Sequence, residues 1–195
     1  MKTGTVVGLN VAHARAVSIN GSKVMTAIGK RAVEGERAVL PLGIEGDEQA
    51  DLSVHGGLGK AVYAYPSEHY PFWKTVRAQA QVALWDEELP FGSLGENLTL
   101  QGVVESDLWT GDLLCFPGCQ LAVSQPRFPC YKFVAAIGFR QAAKLMIDSA
   151  WCGAYLAVRV PGTIAAGQSF TIEPGPRQVG IAEVFRARMR RAAAA

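Results

Sequence analysis

The chain is organised around one stretch, Ser124-Gln125-Pro126-Arg127-Phe128-Pro129-Cys130-Tyr131-Lys132. Its two prolines fix φ and remove two backbone donors, and each also pushes the preceding residue out of the helical region. An apolar run at residues 121–123 favours a strand before the stretch, and a helical pattern follows it. We therefore predict a stiff, extended corner between a strand and a helix.

This corner places Arg127 and Cys130 three residues apart. The fixed positive charge of an arginine lowers the pKa of a nearby thiol, and the start of the following helix acts in the same direction. Cys130 is therefore a candidate for thiolate chemistry. The alternative is that Cys130 is a small buried hydrophobe, since free cysteine is among the most buried residue types. The corner alone leaves both interpretations open.

The composition indicates one ordered domain with a small appendage, and 195 residues are enough for a sizeable core. Apolar residues make up 49% of the chain and charged residues 18%, which argues against a disordered protein. The 21 glycines and ten prolines favour many short strands over long helices. We see no internal repeat, and no interdomain linker before about residue 175.

Several functional classes are disfavoured by charge and hydropathy. A net charge of +2 is too weak to argue for a nucleic-acid partner. No apolar run reaches the length of a transmembrane helix, and Asn10, His13 and Arg15 interrupt any signal-peptide pattern. We therefore expect a cytoplasmic protein without a membrane partner. Its four cysteines should be free thiols, and their spacing lacks the paired ligands of a structural zinc site.

Local patterns predict several individual elements. Asn20-Gly21 between two β-branched runs predicts a β-hairpin. The clearest helical pattern runs over residues 135–149, where apolar residues recur at helical spacing. Strands are expected over residues 61–65 and 154–160, and a short helix within residues 179–191.

A glycine-rich stretch before the predicted strand at residues 61–65 is a candidate anion-binding wall. Gly56 and Gly57 allow positive φ and bring backbone N–H groups close to a bound oxyanion. His55 and Lys60 lie on either side of them. The alternative is a surface turn with an incidental histidine and a solvated lysine. The stretch is not a phosphate-binding P-loop, because no Gly-Lys-Ser/Thr follows at the required spacing.

A third stretch places a carboxylate beside an amide, at Glu96 and Asn97. Gly92 and Gly95 precede the pair and permit an irregular loop. A carboxylate and an amide together can hydrogen-bond a heterocycle that has both donors and acceptors on its edge. Ordinary turn chemistry explains an asparagine in such a loop equally well.

Taken in order, these stretches resemble the MOSC family (molybdenum cofactor sulfurase C-terminal domains), in particular its YiiM-type bacterial branch. The resemblance covers roughly residues 5–173. The residues that carry it are Gly46-Asp47-Glu48-Gln49-Ala50-Asp51, His55-Gly56-Gly57, Lys60-Ala61, Tyr65-Pro66, Glu68-His69-Tyr70, Phe91-Gly92, Gly95-Glu96-Asn97-Leu98, Gly111-Asp112, Ser124-Gln125-Pro126-Arg127 and Pro129-Cys130-Tyr131-Lys132.

The resemblance implies a mainly β fold, a closed and mostly antiparallel MOSC-type β-barrel with a few peripheral helices and a cofactor pocket at one end. We place this domain at residues 1–175 and a short helical, basic tail at residues 176–195. Members of this branch commonly carry a further helical bundle after the barrel, whereas this chain ends soon after Arg191. If that bundle docks a redox partner, the resemblance does not specify the redox partner of this chain.

The resemblance also implies a molybdenum cofactor, molybdopterin with its metal. Cys130 corresponds to the family's key cysteine, which is either a thiolate ligand of molybdenum or a persulfide carrier. The residues expected to bind the cofactor are His55, Gly56, Gly57, Lys60 and Arg127 at the phosphate, and Glu96 and Asn97 at the pterin edge.

The activity implied is reduction of N-hydroxylated small molecules or base analogues, as in the related mitochondrial amidoxime-reducing component. No part of the chain resembles a flavin, haem or iron–sulfur site, so a separate reductase should supply electrons. One alternative is a sulfur carrier or sulfurtransferase that receives a persulfide on Cys130 from a pyridoxal-phosphate desulfurase. Another is a non-catalytic module that binds or stores the cofactor.

Overall fold

The computed structural model of the protein describes residues 2–51 and 56–193. The strands of this part are β1 (Lys2–Val11), β2 (Arg15–Ile19), β3 (Ser22–Thr26), β4 (Arg31–Ala32), β5 (Arg37–Leu40), β6 (Gly43–Ile44), β7 (Val62–Pro66), β8 (Leu98–Gln101), β9 (Leu113–Phe116), β10 (Cys119–Pro126), β11 (Ala154–Val160), β12 (Gly162–Ile164) and β13 (Ser169–Glu173). Its α-helices are α1 (Tyr70–Gln79), α2 (Tyr131–Ile137), α3 (Ala142–Ser149) and α4 (Ile181–Ala193).

Seven strands close into a barrel, in the order β13-β9-β10-β11-β7-β8-β1. The barrel closes where residues 2–5 of β1 pair with residues 169–172 of β13. The pair β7–β8 is parallel, and the other neighbouring pairs of the barrel are antiparallel. The predicted fold, a closed and mostly antiparallel β-barrel with a few helices, is therefore confirmed.

Strand β7 shows how the core is built, since all five of its residues are buried. Helix α1 packs against one of its faces, where the indole N–H of Trp73 donates to the Tyr65 hydroxyl at 2.7 Å. Both side chains are fully buried. A strand that is covered on both faces reads as a continuous apolar run, and this explains the sequence of β7.

The prediction of one helix over residues 135–149 was wrong, because this segment contains the end of α2 and the whole of α3. The first helix, α2, ends at Gly138, which adopts φ +96° and donates its N–H to the Val134 carbonyl at 2.9 Å. Left-handed backbone of this kind is favoured by glycine and closes a helix. Helix α2 begins at Tyr131, earlier than predicted and directly after Cys130.

The predicted hairpin at Asn20-Gly21 is confirmed, with φ of +51° and +78° at its two turn residues. Its strands β2 and β3 form a separate two-stranded sheet. The ammonium of Lys132 in α2 donates to the Met25 carbonyl of β3 at 2.9 Å. This bond fastens the hairpin to the helix that follows Cys130.

Helix α4 packs against the barrel and against the corner. Ile181 and Phe185 are fully buried, and the Phe185 ring stacks on Phe128 with 5.6 Å between centroids and 7° between planes. Phe128 lies between Arg127 and Cys130 in the chain, so α4 supports the segment that carries both. The boundary near residue 175 stays a prediction. Within residues 2–51 and 56–193, no helix has the length and apolar character needed to span a membrane.

Candidate functional site

A cleft opens where the corner after β10 faces residues 47–51 and the 3₁₀ turn Leu58–Lys60. It holds about 630 Å³ of space when its open mouth is included. Cys130 and Arg127 line it from the corner, and Lys60, Asn97 and Tyr155 line it from other elements. The fold thus gathers residues that are far apart in the sequence.

The corner itself is held in place at both ends. At its start, Pro126 is the last residue of β10 and pairs with Ala154 of β11. At its end, Cys130 is the residue before α2 and has extended backbone, with φ −137° and ψ 168°. The Cys130 carbonyl accepts the Val134 N–H at 3.1 Å. Cys130 is half-buried and therefore accessible from the cleft.

Arg127 is a buried cation at the wall of the cleft, with 4% of its surface exposed. Its guanidinium carbon lies 4.7 Å from the Phe133 ring centroid and 5.3 Å from that of Tyr63. Among residues 2–51 and 56–193 it has no carboxylate within ion-pair distance. Its buried Nη1 also has no hydrogen-bond partner in that part of the chain. A buried donor without a partner is costly, so this atom indicates a ligand.

Electrostatics couple Arg127 to Cys130. Burial by itself lowers the pKa of Arg127, but at the alkaline pH where a guanidinium titrates, attraction to the ionised forms of Tyr63, Tyr155 and Cys130 outweighs burial and raises that pKa overall. Burial also raises the pKa of both tyrosines, which keeps them neutral near pH 7. The attraction is mutual, so the guanidinium favours the thiolate form of Cys130.

The other three cysteines are poor candidates for thiolate chemistry. Burial raises the pKa of the Cys119 thiol to about 11 and that of Cys152 well above its ordinary value. Burial, and then the carboxylate of Glu173, raise the pKa of Cys115 as well. A thiol with a raised pKa stays protonated near neutral pH and is a weak nucleophile and metal ligand. Cys130, which lines the cleft, is therefore the better candidate for thiolate chemistry.

The glycine-rich turn reaches the cleft through Lys60. Gly57 has φ +88°, which suits glycine, and its N–H donates to Gln49 Oε1 at 3.2 Å. The Ser124 hydroxyl lies 2.5 Å from the Gly59 carbonyl and so ties this turn to β10. Lys60 lies over the Tyr155 ring, with 5.9 Å between Nζ and the centroid.

The predicted phosphate residues are not all at the cleft. Lys60 and Arg127 line it, whereas Gly56 and Gly57 are not among its lining residues. The predicted contact from His55 lies outside the described residues. Among the described residues predicted to bind the phosphate, the cationic side chains of Lys60 and Arg127 therefore line the cleft, and the backbone of Gly56 and Gly57 does not.

Asn97 lines the cleft, but its side chain is occupied by the protein. Its amide nitrogen donates to Asp47 Oδ2 at 2.9 Å and to the Asn10 carbonyl at 3.2 Å. Its amide oxygen accepts the Tyr63 N–H at 3.1 Å. Asn97 therefore joins β1, β7 and the Asp47 segment, and its first role is to hold the wall of the cleft.

Glu96 lies behind the wall, fully buried and away from the lining of the cleft. Its Oε1 accepts hydrogen bonds from the Tyr70 hydroxyl, the Gly92 N–H at 2.7 Å and the Thr99 hydroxyl at 2.8 Å. The structure therefore does not bring Glu96 together with Arg127 and Cys130. Burial raises the pKa of Glu96 even though these donors oppose the shift.

The raised pKa of Glu96 predicts a pH-dependent stability. The folded protein holds this proton more tightly than the unfolded chain, whose pKa is near 4.5. The stabilising contribution is therefore complete below pH 4.5 and is lost as the pH rises through the folded pKa. Relative to wild type, the Glu96→Gln variant should gain up to about 1.4 kcal/mol of unfolding free energy per pH unit between pH 4.5 and the folded pKa, and nothing further above it.

Urea unfolding of both proteins between pH 4.5 and 7 measures this difference. The difference is more informative than either curve, because titration of other groups is largely common to the two proteins. A constant difference across this range would contradict the expected titration of Glu96.

Sequence reasoning missed a buried ion pair in the cleft. Lys30 Nζ contacts Asp47 Oδ1, and both side chains are largely buried. Burial lowers the pKa of Lys30, and attraction to Asp47 offsets this only in part. Asp47 also accepts the Ala12 N–H at 2.9 Å. Asp47 was within the recognised motif, but Lys30 had no local signal.

Two tyrosines were missed as well. Tyr63 and Tyr155 are cross-strand partners on β7 and β11, with 5.3 Å between ring centroids. Both line the cleft beside Arg127. The alternation of small and aromatic residues in β7 was the available signal for Tyr63, because alternate residues of a strand share one face.

Comparison with known proteins shows the family of this chain. Residues 51–171 match the MOSC domain. The chain belongs to the MOSC domain family. This range includes Lys60, Asn97, Arg127 and Cys130, which are the predicted residues that line the cleft. The family assignment made from sequence is confirmed, and the relatives support the YiiM-type branch.

Three relatives illustrate the match. The protein YiiM of Escherichia coli is 37% identical over 142 residues, which cover 72% of this chain and 61% of YiiM. A protein of Gibberella moniliformis named as a reductase is 30% identical over 173 residues, covering 86% of this chain and 30% of the fungal protein. The crystal structure of YiiM from Geobacillus stearothermophilus superposes with a TM-score of 0.76 at 26% identity, covering 96% of this chain and 85% of that one.

Proposed function

We propose that this MOSC protein binds a molybdenum cofactor in the cleft and reduces N-hydroxylated small molecules or base analogues, with Cys130 as the protein ligand of molybdenum. The observation that carries the proposal is the buried guanidinium of Arg127 beside Cys130, with a donor atom that has no partner among the described residues. A large anionic cofactor would supply the acceptor that this donor lacks.

The residues at the cleft fit such a group. Four cations line it, Lys30, Lys60, Arg127 and Lys132, against three carboxylates, Asp47, Glu48 and Asp51. Lys30 pairs with Asp47, whereas the guanidinium of Arg127 suits a phosphate because its fork of donors matches the phosphate oxygens. Asn97, with its own bonds satisfied inside the protein, holds the wall against which the cofactor would lie.

The chain's own groups prepare the site for a soft metal. The positive charge of Arg127 favours the thiolate form of Cys130, which is the form that binds metals. Tyr155 stays neutral because burial raises its pKa, so its phenol holds a proton beside the cleft. The bound cofactor would supply the two-electron reduction of the N–O bond, while the protein positions it.

Electrons would come from a separate reductase. The fungal relative is named as a reductase and is much longer than the part that matches this chain. This supports redox chemistry for the branch but not a particular donor. The same guanidinium would also stabilise a persulfide on Cys130. Experiment therefore has to distinguish the sulfur-carrier hypothesis from the reductase hypothesis.

The proposal is tested by elemental analysis of protein purified from a host that makes the cofactor. We expect molybdenum near one atom per chain, and turnover of an amidoxime with a dithionite-reduced viologen as electron donor. Molybdenum without turnover would indicate a storage module. Absence of molybdenum together with a cyanide-labile sulfur would replace the proposal with sulfur transfer.

A further inference from the structure

A second groove adjoins the cleft and is not explained by cofactor binding. It lies between the β2–β3 hairpin, α1 with the loop that follows it, and α2, and it holds about 900 Å³ including its open side. Its lining residues include Arg15 and Ser18 of the hairpin and Ala136 of α2. The groove therefore runs along the helix that begins directly after Cys130.

The groove and the cleft are parts of one continuous surface. Thr26, Ile28 and Lys132 line both of them. The bond from Lys132 Nζ to the Met25 carbonyl forms the ridge between them, where the hairpin meets α2. Cys130 is two residues before Lys132 in the chain. A molecule whose reacting group lies at Cys130 can therefore extend over this ridge into the groove.

The groove is apolar along its walls and cationic overall. Ile19, Ile28 and Leu89 contribute apolar surface. Its charged lining residues are Arg15, Arg77, Lys132 and Glu87. Arg77 Nη1 lies 3.6 Å from Glu87 Oε1, so the charges of these two side chains largely cancel. Two cations remain, Arg15 at one end of the hairpin and Lys132 at the ridge.

We propose that this groove binds the distal part of the substrate, and that the preferred substrates are N-hydroxylated aromatic or heteroaromatic compounds that carry an anionic group, a carboxylate or a phosphate. The inference rests on the proposed function for the reacting group, but the groove itself is a property of the protein without cofactor. An apolar ring fits its walls, and the anion pairs with Arg15 and Lys132.

The first test uses cofactor-free protein, so its result does not depend on turnover. Benzamidoxime and its para-carboxylate and para-phosphate derivatives are titrated while two-dimensional NMR spectra or calorimetric heats are recorded. We expect both anionic compounds to bind more tightly than the neutral one, by about fivefold at low salt, with shifts in β2, β3 and α2. Equal affinities for all three compounds would overturn the proposal.

The second test uses charge variants of the hairpin. Arg15→Ala should reduce the preference for the anionic compounds, with Lys132 still in place, without changing the affinity for benzamidoxime. Lys23→Ala is the matched control, because Lys23 is an exposed cation on the same hairpin that does not line the groove. If Lys23→Ala has the same effect as Arg15→Ala, the preference comes from net charge and the groove is not the site.

A third variant tests the groove by shape. Ser18 is exposed on β2 and lines the groove, so Ser18→Trp fills the space without disturbing a core position. In the loaded enzyme this variant should raise KM for the para-carboxylate compound and leave kcat unchanged, with little effect on a small amidoxime. An unchanged KM contradicts the groove assignment, whereas absence of turnover in wild type contradicts the proposed function alone.

Discussion

Replacing Cys130 with alanine should remove both molybdenum and reductase activity while the fold is retained. Even residues that only support a metal ligand cost about 10–100-fold when they are changed, so the loss of the ligand itself should exceed about 100-fold. Cys130 is half-buried at the cleft, and removal of its small side chain should cost about 1 kcal/mol or less of unfolding free energy. Metal content, turnover and thermal unfolding measure the three effects.

The control for this experiment is Cys115→Ala. Cys115 is also half-buried, but it lies on β9, does not line the cleft and has a raised pKa. That variant should keep its molybdenum and its activity. Equal activity in wild type and in the Cys130→Ala variant would remove Cys130 from both the redox and the sulfur-transfer readings. A cyanide-labile sulfur present in wild type alone would favour the second.

The elements predicted from sequence are those with local signals. The hairpin needs only Asn20-Gly21 between two β-branched runs, because these two residues readily adopt the positive φ that the turn requires. By contrast, barrel closure depends on pairing of residues 2–5 with residues 169–172. No local pattern encodes a contact of that separation, so closure was expected only through the resemblance to a family.

The end of helix α2 was predicted wrongly for the opposite reason. A local signal, Gly138, was present, but the helical periodicity around it was given more weight. Gly138 interrupts the apolar pattern of residues 135–149, and its positive φ ends the helix. An isolated glycine is tolerated in many helices, so the periodicity of the whole segment favoured a single helix.

The candidate site divides in a similar way. Glu96 and Asn97 were predicted as a pair, yet only Asn97 lines the cleft. They directly precede β8, and the Gly92 N–H and the Thr99 hydroxyl hold Glu96 behind the wall of the cleft. The Lys30–Asp47 ion pair joins residues 17 positions apart. The fold brings these two residues together, and their spacing in the sequence does not correspond to any recognisable motif.

Replacing Arg127 with methionine should abolish cofactor binding and leave the free energy of unfolding unchanged within about 1 kcal/mol, or increase it. Burial of a charge without a carboxylate partner is costly, and apolar replacements of buried ions are often neutral or stabilising. Methionine can retain contact with the Tyr63 and Phe133 rings through its thioether. The guanidinium is therefore expected to serve function at a cost to stability.

Arg177→Met is the matched control, with the opposite expectation for both quantities. Arg177 also lies over an aromatic ring, 4.4 Å from the Trp109 centroid, but it has a carboxylate partner in the fully buried Asp112, 3.4 Å away. Its removal leaves that carboxylate without its cation, so the variant should lose about 1–3 kcal/mol of stability and keep its molybdenum. Urea unfolding and metal analysis of both variants provide the comparison. If the Arg127→Met variant unfolds more easily than the Arg177→Met variant, or retains its metal, Arg127 is a structural residue and the anion site must lie elsewhere in the cleft.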